Sequence, residues 1–307
     1  MSNILVTGGS GFIGSNLVDK LIELGHKVFV IDDLSTGLKI NNNDNAHYLL
    51  IDITQYIESN DSLKELIRNQ SISIVYHLAA LSDVRKGIND PVTTYNINLL
   101  SLVSIFEACR NCEIEKFIFT STSAVYGEPE YLPVDEVHRT VPISPYGLSK
   151  LAAEQYLQYQ NKNSNMDVIV FRLPNVYGQR QRPDLEGGVV SIFNYKIKNN
   201  GQVTFYGDGK QTRDWVHVYD IVEALIKLKL MNNINFEIIS LGSEKTNSLM
   251  DLFNLLVETN NYKISPIFDE PKKGDIKHMI MSGKKARNLL KWKQKIYIEE
   301  GIKLMGK

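Results

Sequence analysis

Thr7-Gly8-Gly9-Ser10-Gly11-Phe12-Ile13-Gly14 is the stretch of this 307-residue chain whose reading decides the fold. The run before it, Asn3-Ile4-Leu5-Val6-Thr7, is short, apolar and ends in glycine, as a buried parallel strand does. After Gly11 the apolar residues Ile13, Leu17, Leu21 and Leu24 take helical spacing, with Val18 and Ile22 widening the stripe. Gly25 stops that helix, and Lys27-Val28-Phe29-Val30-Ile31 reads as the next strand. The result is a βαβ unit with Gly8, Gly11 and Gly14 in its first turn. Glycine there lets the backbone approach a pyrophosphate, while the helix N-terminus offers free N–H groups and a positive dipole end. The spacing is G-x-x-G-x-x-G, in place of the standard G-x-G-x-x-G fingerprint. Asp32 follows the second strand, 18 residues after Gly14. A carboxylate there accepts hydrogen bonds from an adenosine ribose 2′-OH and repels a 2′-phosphate, so NAD is expected over NADP.

Outward from this unit, strand-like and helix-like segments alternate to about residue 172. The strand candidates are Ile4–Thr7, Val28–Ile31, Tyr48–Ile51, Ile74–His77, Lys116–Thr120 and Val168–Leu173. The helix candidates are Ser10–Leu24, Ser62–Asn69, Pro91–Arg110 and Pro145–Tyr159. Such alternation predicts an α/β fold, a doubly wound parallel sheet of the Rossmann kind, with a smaller mixed α/β substrate-binding domain. The expected division is 1–174 for the nucleotide domain and 175–307 mainly for the substrate domain, with parts of 213–242 packing back. In the later half, Val189–Lys198, Asp220–Leu230, Leu249–Glu258 and Gly283–Leu290 read as helices and Glu237–Leu241 as a strand. Gly178 to Gly188, rich in Gly, Arg, Gln and Pro, reads as a substrate-side loop.

Composition narrows the function classes. Net charge is −1, from 34 basic and 35 acidic residues, with no long basic stripe, so nucleic acid is not an expected partner. No stretch reaches the about 20 apolar residues that span a bilayer, and no basic segment leads into a signal-like apolar run. A cytoplasmic location without membrane contact is expected. The two cysteines form Cys109-Arg110-Asn111-Cys112 at the C-terminal end of a helical pattern, where the dipole raises a thiol pKa. With no further Cys or His ligands at suitable spacing, no metal site is expected, and Cys109 reads as a core residue.

Tyr146-Gly147-Leu148-Ser149-Lys150 places a phenol and an ammonium four residues apart on one helix face. A phenol near pKa 10 is a poor base at neutral pH. Lys150 would favour the phenolate and could hold a nicotinamide ribose, which makes Tyr146 a general acid/base for a substrate hydroxyl. A Y-x-x-x-K pair alone is commonly surface decoration. Its weight here comes from opening a helix after Ser144-Pro145, behind a nucleotide-binding half. Ser121, Thr122 and Ser123 end a predicted strand, on the side where open α/β sheets bind ligands. Arg213 could clamp a diphosphate, and by itself reads as a surface Arg. His77 reads as structural or cofactor-proximal, and His217 as a packed histidine.

With these motifs the chain resembles the extended short-chain dehydrogenase/reductases, and within them the UDP-glucose 4-epimerases. The resemblance runs over nearly the whole chain, through Thr7–Gly14, Asp32–Gly37, Asp52-Ile53, His77–Ala80, Tyr146–Lys150, Arg172–Gly178, Gly207–Asp214 and Gly274-Asp275. It implies an NAD-dependent enzyme acting on a UDP-hexose, UDP-glucose and UDP-galactose being interconverted through a transient 4-keto sugar, and a homodimer. It implies that Gly8, Gly11, Phe12 and Ile13 meet the pyrophosphate and Asp32 the adenosine ribose. Asp33, Ser35, Thr36 and Gly37 continue that side, and Asp52 and Ile53 meet the adenine. Leu78, Ala79, Ala80 and Asn98 complete the cofactor wall with Tyr146 and Lys150. Thr122 takes the catalytic Ser/Thr position. Asn175, Arg213 and Lys272 would hold the diphosphate, Asp275 the uridine ribose, and Val189, Val203, Thr204 and Phe205 the rest of the UDP seat.

Relatives that eliminate water or carbon dioxide usually carry acidic residues just before Val-Tyr-Gly, and here those positions are Ser123 and Ala124. Lys272 replaces a usual Arg, losing bidentate geometry while keeping charge. Ser82 stands where some members have a cofactor-binding Lys, and Ser101 replaces a common Gly. Met279 occupies a position held by a bulky Tyr in some members, which leaves N-acetylated sugars as substrates. The alternatives are a UDP-N-acetylglucosamine 4-epimerase, another nucleotide-sugar modifier, or a non-catalytic NAD-binding regulatory module.

Overall fold

The computed structural model describes residues 1–305 apart from 163, 186–187, 229–230, 232–233 and 272–275. Strands β1 (Asn3–Thr7), β2 (Lys27–Asp32), β3 (His47–Leu50), β4 (Ile72–His77), β5 (Lys116–Thr122) and β6 (Asp167–Leu173) join Phe236–Ser240 in one seven-stranded sheet. Every pairing in it is parallel. Alternate side chains leave opposite faces, so each strand feeds two cores. Ile4 and Val6 of β1, Val28 and Val30 of β2 and Ile118 of β5 enter one core, and Leu5, Phe29, Ile31, Phe117 and Phe119 the other. Burial on both faces explains why these strands read as continuous apolar runs.

Helix α1 (Phe12–Glu23) buries Leu17, Val18 and Leu21 in the first core, each side chain worth about 1.5–3 kcal/mol. It ends where Gly25 takes φ +77°, the left-handed conformation that glycine adopts without strain. Helices α2 (Asp61–Asn69), α3 (Val84–Asn89), α4 (Pro91–Tyr95), α5 (Ser101–Asn111) and α6 (Pro145–Asn161) follow. The expected single helix over Pro91–Arg110 is instead α4 and α5 joined by a π turn at Asn96–Leu100. Ser101 stabilises it by donating its hydroxyl to the Asn96 carbonyl at 2.8 Å. Helix α3 escaped the periodicity reading because it is six residues long and its Val84 and Ile88 are exposed, leaving no buried stripe.

The strand order is Phe236–Ser240, β6, β5, β4, β1, β2, β3. The chain winds outward from β1 in one direction and from β4 in the other, which opens a crevice at the carboxyl ends of β1 and β4. The sheet's last strand comes from the later half, and α8 (Val218–Lys227), which follows α7 (Val189–Lys198), packs Ile221, Ala224 and Leu225 into the core beneath α1. The end of the expected helix at Leu230 lies outside the described residues. A third core gathers α7 and Leu249–Asn260 around Phe205, whose ring meets Phe193, Phe253 and Phe268 at 5.3–5.6 Å. Among the described residues, three two-stranded ladders edge this part, pairing Asn175–Tyr177 with Trp215–His217, Thr204–Tyr206 with Ile267–Asp269, and Thr212–Arg213 with Asn247–Ser248. No described helix is long and apolar enough to cross a membrane.

Candidate active site

A cleft of about 310 Å³ opens where the strand order reverses. Its walls carry Gly8, Gly11, Phe12, Ile13, Asp32, Asp33, Ser35, Thr36, Asp52, Ile53, Leu78, Ala79 and Ala80. The floor is backbone against backbone. Gly8 has φ +74°, and a Cβ on it would lie 2.7 Å from the Ala79 nitrogen. The N-cap of α1 is Gly11, whose lack of a side chain leaves the first N–H groups of the helix facing the cleft uncapped. Asp32 accepts the Ser10 N–H at 2.9 Å on Oδ2 and the Leu34 N–H at 2.8 Å on Oδ1. Burial pushes its pKa up, and those two N–H groups pull it back. Asp33 accepts from the Ser35 N–H at 2.9 Å and hydroxyl at 2.6 Å. Asp52 accepts the Thr54 N–H at 2.8 Å.

Two predicted cofactor residues stand behind the wall. Gly37 is off the cleft, and a Cβ there would come 2.9 Å from Asp32 Oδ1, so its part is to let the loop close on that carboxylate. Asn98, buried in the π turn, accepts the Leu81 N–H at 2.8 Å and donates to the Leu81 carbonyl at 3.0 Å and to Ser149 Oγ at 3.1 Å. It ties the cleft wall to α6.

Thr122, Tyr146 and Lys150 line the same cleft. Ser144 caps α6 by accepting the Gly147 N–H at 3.1 Å, and Pro145 takes the first helical position, where its missing N–H costs nothing. That start sets Tyr146 and Lys150 one turn apart. Lys150 is 2% exposed, donates to the Thr120 carbonyl at 2.9 Å and lies 4.5 Å from the Phe119 ring centroid. Burial brings its pKa down to about 7, opposed by the Glu154 carboxylate. Burial also raises the Tyr146 phenol, which the Thr122 hydroxyl alone draws back. The phenol is drawn down by Thr122, while the Lys150 ammonium faces the Thr120 carbonyl and the Phe119 ring.

His77 bonds Thr7 Oγ1 through Nδ1 at 2.8 Å, and burial with the nearby Lys150 holds it neutral, its pKa at about 3. His217 accepts the Tyr219 N–H at 3.2 Å and caps α8. Cys109 lies in the second core, where burial pushes its thiol up, and both cysteines are free thiols.

Among the described residues, Asn175, Val189, Val203, Thr204, Phe205 and Arg213, expected at the UDP, do not line this cleft. Asn175 lies between Pro174 and Val176, which do line it. Arg213 donates to the Thr212 carbonyl at 2.9 Å. Val189 opens α7 and packs against the third core. Val203 and Phe205 are fully buried, because alternation turns both into that core and leaves Thr204 half-buried between them. Their side chains are spent on packing, so a UDP seat here would use their backbone. Met279 is likewise buried, against Val125, Tyr126, Val134 and Met281, and does not reach the cleft. Lys272 and Asp275 lie outside the described residues.

The sequence reading missed two guanidiniums on the cleft. Arg182 donates to the Thr36 carbonyl at 3.0 Å, and Arg180 pairs with Asp19 at 2.7 Å. Both carry the Gly178–Gly188 loop across to the nucleotide half. Their presence in a Gly-Gln-Arg-Gln-Arg run was the available signal, though nothing in it gives the direction of reach.

Residues 4–242 match the NAD dependent epimerase/dehydratase family. The chain belongs to that family. A putative UDP-glucose 4-epimerase of Methanocaldococcus jannaschii is 42% identical over 98% of this chain and 96% of its own length. Among solved structures, the UDP-glucose 4-epimerase of Thermotoga maritima, in complex with UDP-glucose, superposes with a TM-score of 0.94 at 36% identity, covering 99% and 97% of the two chains. The UDP-N-acetylglucosamine 4-epimerase of Methanobrevibacter ruminantium, in complex with UDP-N-acetylmuramic acid, does so at 0.91 and 32%, covering 99% and 96%. The protein is an NAD-dependent epimerase of the extended short-chain dehydrogenase/reductase type, and NAD is its cofactor.

The cleft of this epimerase fits that cofactor. The glycine floor leaves no Cβ where a pyrophosphate must come close. A carboxylate has about four acceptor sites, so Asp32 keeps capacity for ribose hydroxyls after taking two N–H groups.

Proposed function

We propose that this nucleotide-sugar 4-epimerase interconverts UDP-glucose and UDP-galactose through a 4-keto sugar. The observation that carries the reading is the meeting of Thr122, Tyr146 and Lys150 on the wall that the glycine turn also lines. Ser123 and Ala124 follow Thr122, so the turn lacks the acid/base pair that an elimination needs.

In this reading Gly8, Gly11, Phe12 and Ile13 hold the pyrophosphate, Asp32 the adenosine ribose, and Asp52 with Ile53 the adenine. Thr122 orients O4 of the sugar and the phenol of Tyr146. Tyr146 takes the O4 proton as the C4–H bond breaks and C4=O forms, and it returns the proton when the sugar presents its other face. Lys150 holds the nicotinamide ribose. NAD, when bound, would supply the acceptor for the C4 hydride. Asn175 and Arg213, with Lys272 and Asp275, serve the UDP moiety. We further assign 1–174 to the nucleotide domain and 175–307 mainly to the substrate domain, and expect a cytoplasmic homodimer, the latter checked by light scattering.

The deciding measurement is a product assay on UDP-galactose, UDP-glucose and their N-acetyl forms. Interconversion of the first two is expected, and a protein with NAD bound that leaves every UDP-hexose unchanged favours a non-catalytic module instead. Cofactor choice gives a second check. The Asp32 carboxylate stands against a 2′-phosphate, and juxtaposed like charges are costly. Titration should show NADP at least about tenfold weaker than NAD, and equal binding would remove Asp32 from the ribose seat.

The second reading is the N-acetyl substrate, favoured by the structural likeness to the Methanobrevibacter enzyme. Met279 no longer serves as its selector, since it is buried behind the Thr122 turn. Met279→Tyr should overpack that cluster by about 1–3 kcal/mol, lowering Tm and reducing turnover of both sugar types together. Selective loss of the N-acetyl activity would instead place residue 279 at the sugar.

A further inference from the structure

One turn beyond Lys150, α6 carries Glu154, and its partner Arg172 lies on β6. Their side chains are 2% and 4% exposed. Arg172 Nη2 donates to Glu154 Oε2 at 2.7 Å and Nε to Oε1 at 3.1 Å. A buried ion pair is weak evidence for stability, because desolvating two charges offsets their attraction, and apolar replacements are often neutral. Its place beside the reacting groups suggests another role.

The pair grips both ends of the turn that presents Thr122. Ser121, immediately before Thr122, donates its hydroxyl to Glu154 Oε1. Tyr126, four residues after Thr122, accepts from Arg172 Nη1 at 3.2 Å, with the guanidinium 4.9 Å from its ring centroid. The Tyr126 hydroxyl also meets Ser240 Oγ at 3.1 Å, and the Ser240 N–H donates to Glu136 at 2.7 Å. The short helical turn Ser123–Val125 is thus held at each end by one ion pair, and the acid of that pair sits on the helix bearing Tyr146 and Lys150.

We propose that Glu154 and Arg172 are positioning residues for the epimerisation, clamping the Thr122 turn to α6 so that the Thr122 hydroxyl stays aligned with the Tyr146 phenol. The proposal rests on the roles given above to Thr122, Tyr146 and Lys150. Glu154 also acts on charge, since its carboxylate supports the protonated form of Lys150 against burial. The other groups around Lys150 do not replace it. Tyr146 on α6 and His77 at the end of β4 are neutral. Arg172 on β6 is positive. Glu107 on α5 is taken by Arg110 and the Tyr156 hydroxyl. Arg85 and Lys86 on α3 are positive and exposed, and α4 offers only Tyr95.

The test uses the NAD-bound enzyme and the UDP-hexose that the wild type turns over. Glu154→Gln keeps the shape and removes the charge, leaving a buried guanidinium unpaired, so the double variant Glu154→Gln/Arg172→Met, which removes both charges, is measured beside it. In the folded variants kcat should fall about tenfold or more while KM changes less than about twofold, the pattern of lost alignment in the transition state. In Glu154→Gln the alkaline limb of the kcat/KM profile should move to lower pH by about one unit, because Lys150 without its counter-charge loses its proton earlier, and in the double variant, which loses the Arg172 cation as well, it should move less. Glu154→Asp should restore the position of that limb. Wild-type kcat and an unmoved profile in either variant overturn the proposal, as does loss of the fold in both, which would make the pair purely structural. A wild type inactive on every UDP-hexose strikes the function proposed above instead, so the two failures are distinguishable.

Discussion

Tyr146→Phe is expected to lower kcat by more than ~100-fold, the low end of what a positioned general acid–base contributes, with NAD still bound. Tyr146 lines the cleft with Thr122 and Lys150. The substitution leaves the rest of α6 in place, because its start depends on the Ser144 cap and its tie to the cofactor wall on Asn98 and Ser149. Neither bond involves the Tyr146 hydroxyl. Lys150 likewise keeps its bond to the Thr120 carbonyl, so the ammonium is not released by the change. The loss should therefore fall on kcat with KM little altered, the pattern of an interaction made in the transition state. Near-normal turnover on a UDP-hexose that the wild type epimerises would mean that another group carries the proton.

What could be read from the residues follows from the range of the forces involved. The first βαβ unit was legible because its signals are local: short continuous apolar runs, a 3.6-residue period and glycines between them. The catalytic helix was legible for the same reason, since Ser144 and Pro145 mark its start and the i, i+4 spacing does the rest. A strand near Glu237–Leu241 and the packing of 213–242 back on the nucleotide half were expected, but β6 as its partner was not legible, because a parallel partner distant in sequence leaves no local trace. The π turn was missed because its cause is tertiary: Asn98 is held by Leu81 and Ser149. Arg182 reaches Thr36 across 146 residues, and Glu154 becomes a buried partner only when β6 brings Arg172 beside it. Val203, Phe205 and Met279 show the converse. Their match to a binding motif said nothing about which way their side chains turn, and the core took all three.

Gly14→Ala should weaken NAD binding on the order of 10–100-fold. A Cβ at position 14 would stand 2.0 Å from the Gly8 carbonyl oxygen and 2.9 Å from the Gly9 Cα, both backbone atoms that no rotamer change can move aside. Gly8 is itself pinned, its N–H donating to the Ile31 carbonyl at 2.8 Å and its carbonyl accepting the Gly11 N–H at 3.2 Å. The added methyl therefore displaces either the turn or α1, at about 1–3 kcal/mol for overpacking. Each 1.4 kcal/mol carried into binding is about tenfold in affinity. Gly25→Ala separates this from general loss of stability. Its φ of +77° makes alanine strained, yet a Cβ there meets nothing within 4 Å, and the position lies at the opposite end of α1 from the cleft. Calorimetric titration of nucleotide-free protein, well below Tm, should find Gly25→Ala close to wild type in NAD affinity and Gly14→Ala far weaker. If Gly14→Ala binds NAD within about twofold of wild type, the turn from Gly8 to Gly14 is not the seat of the pyrophosphate.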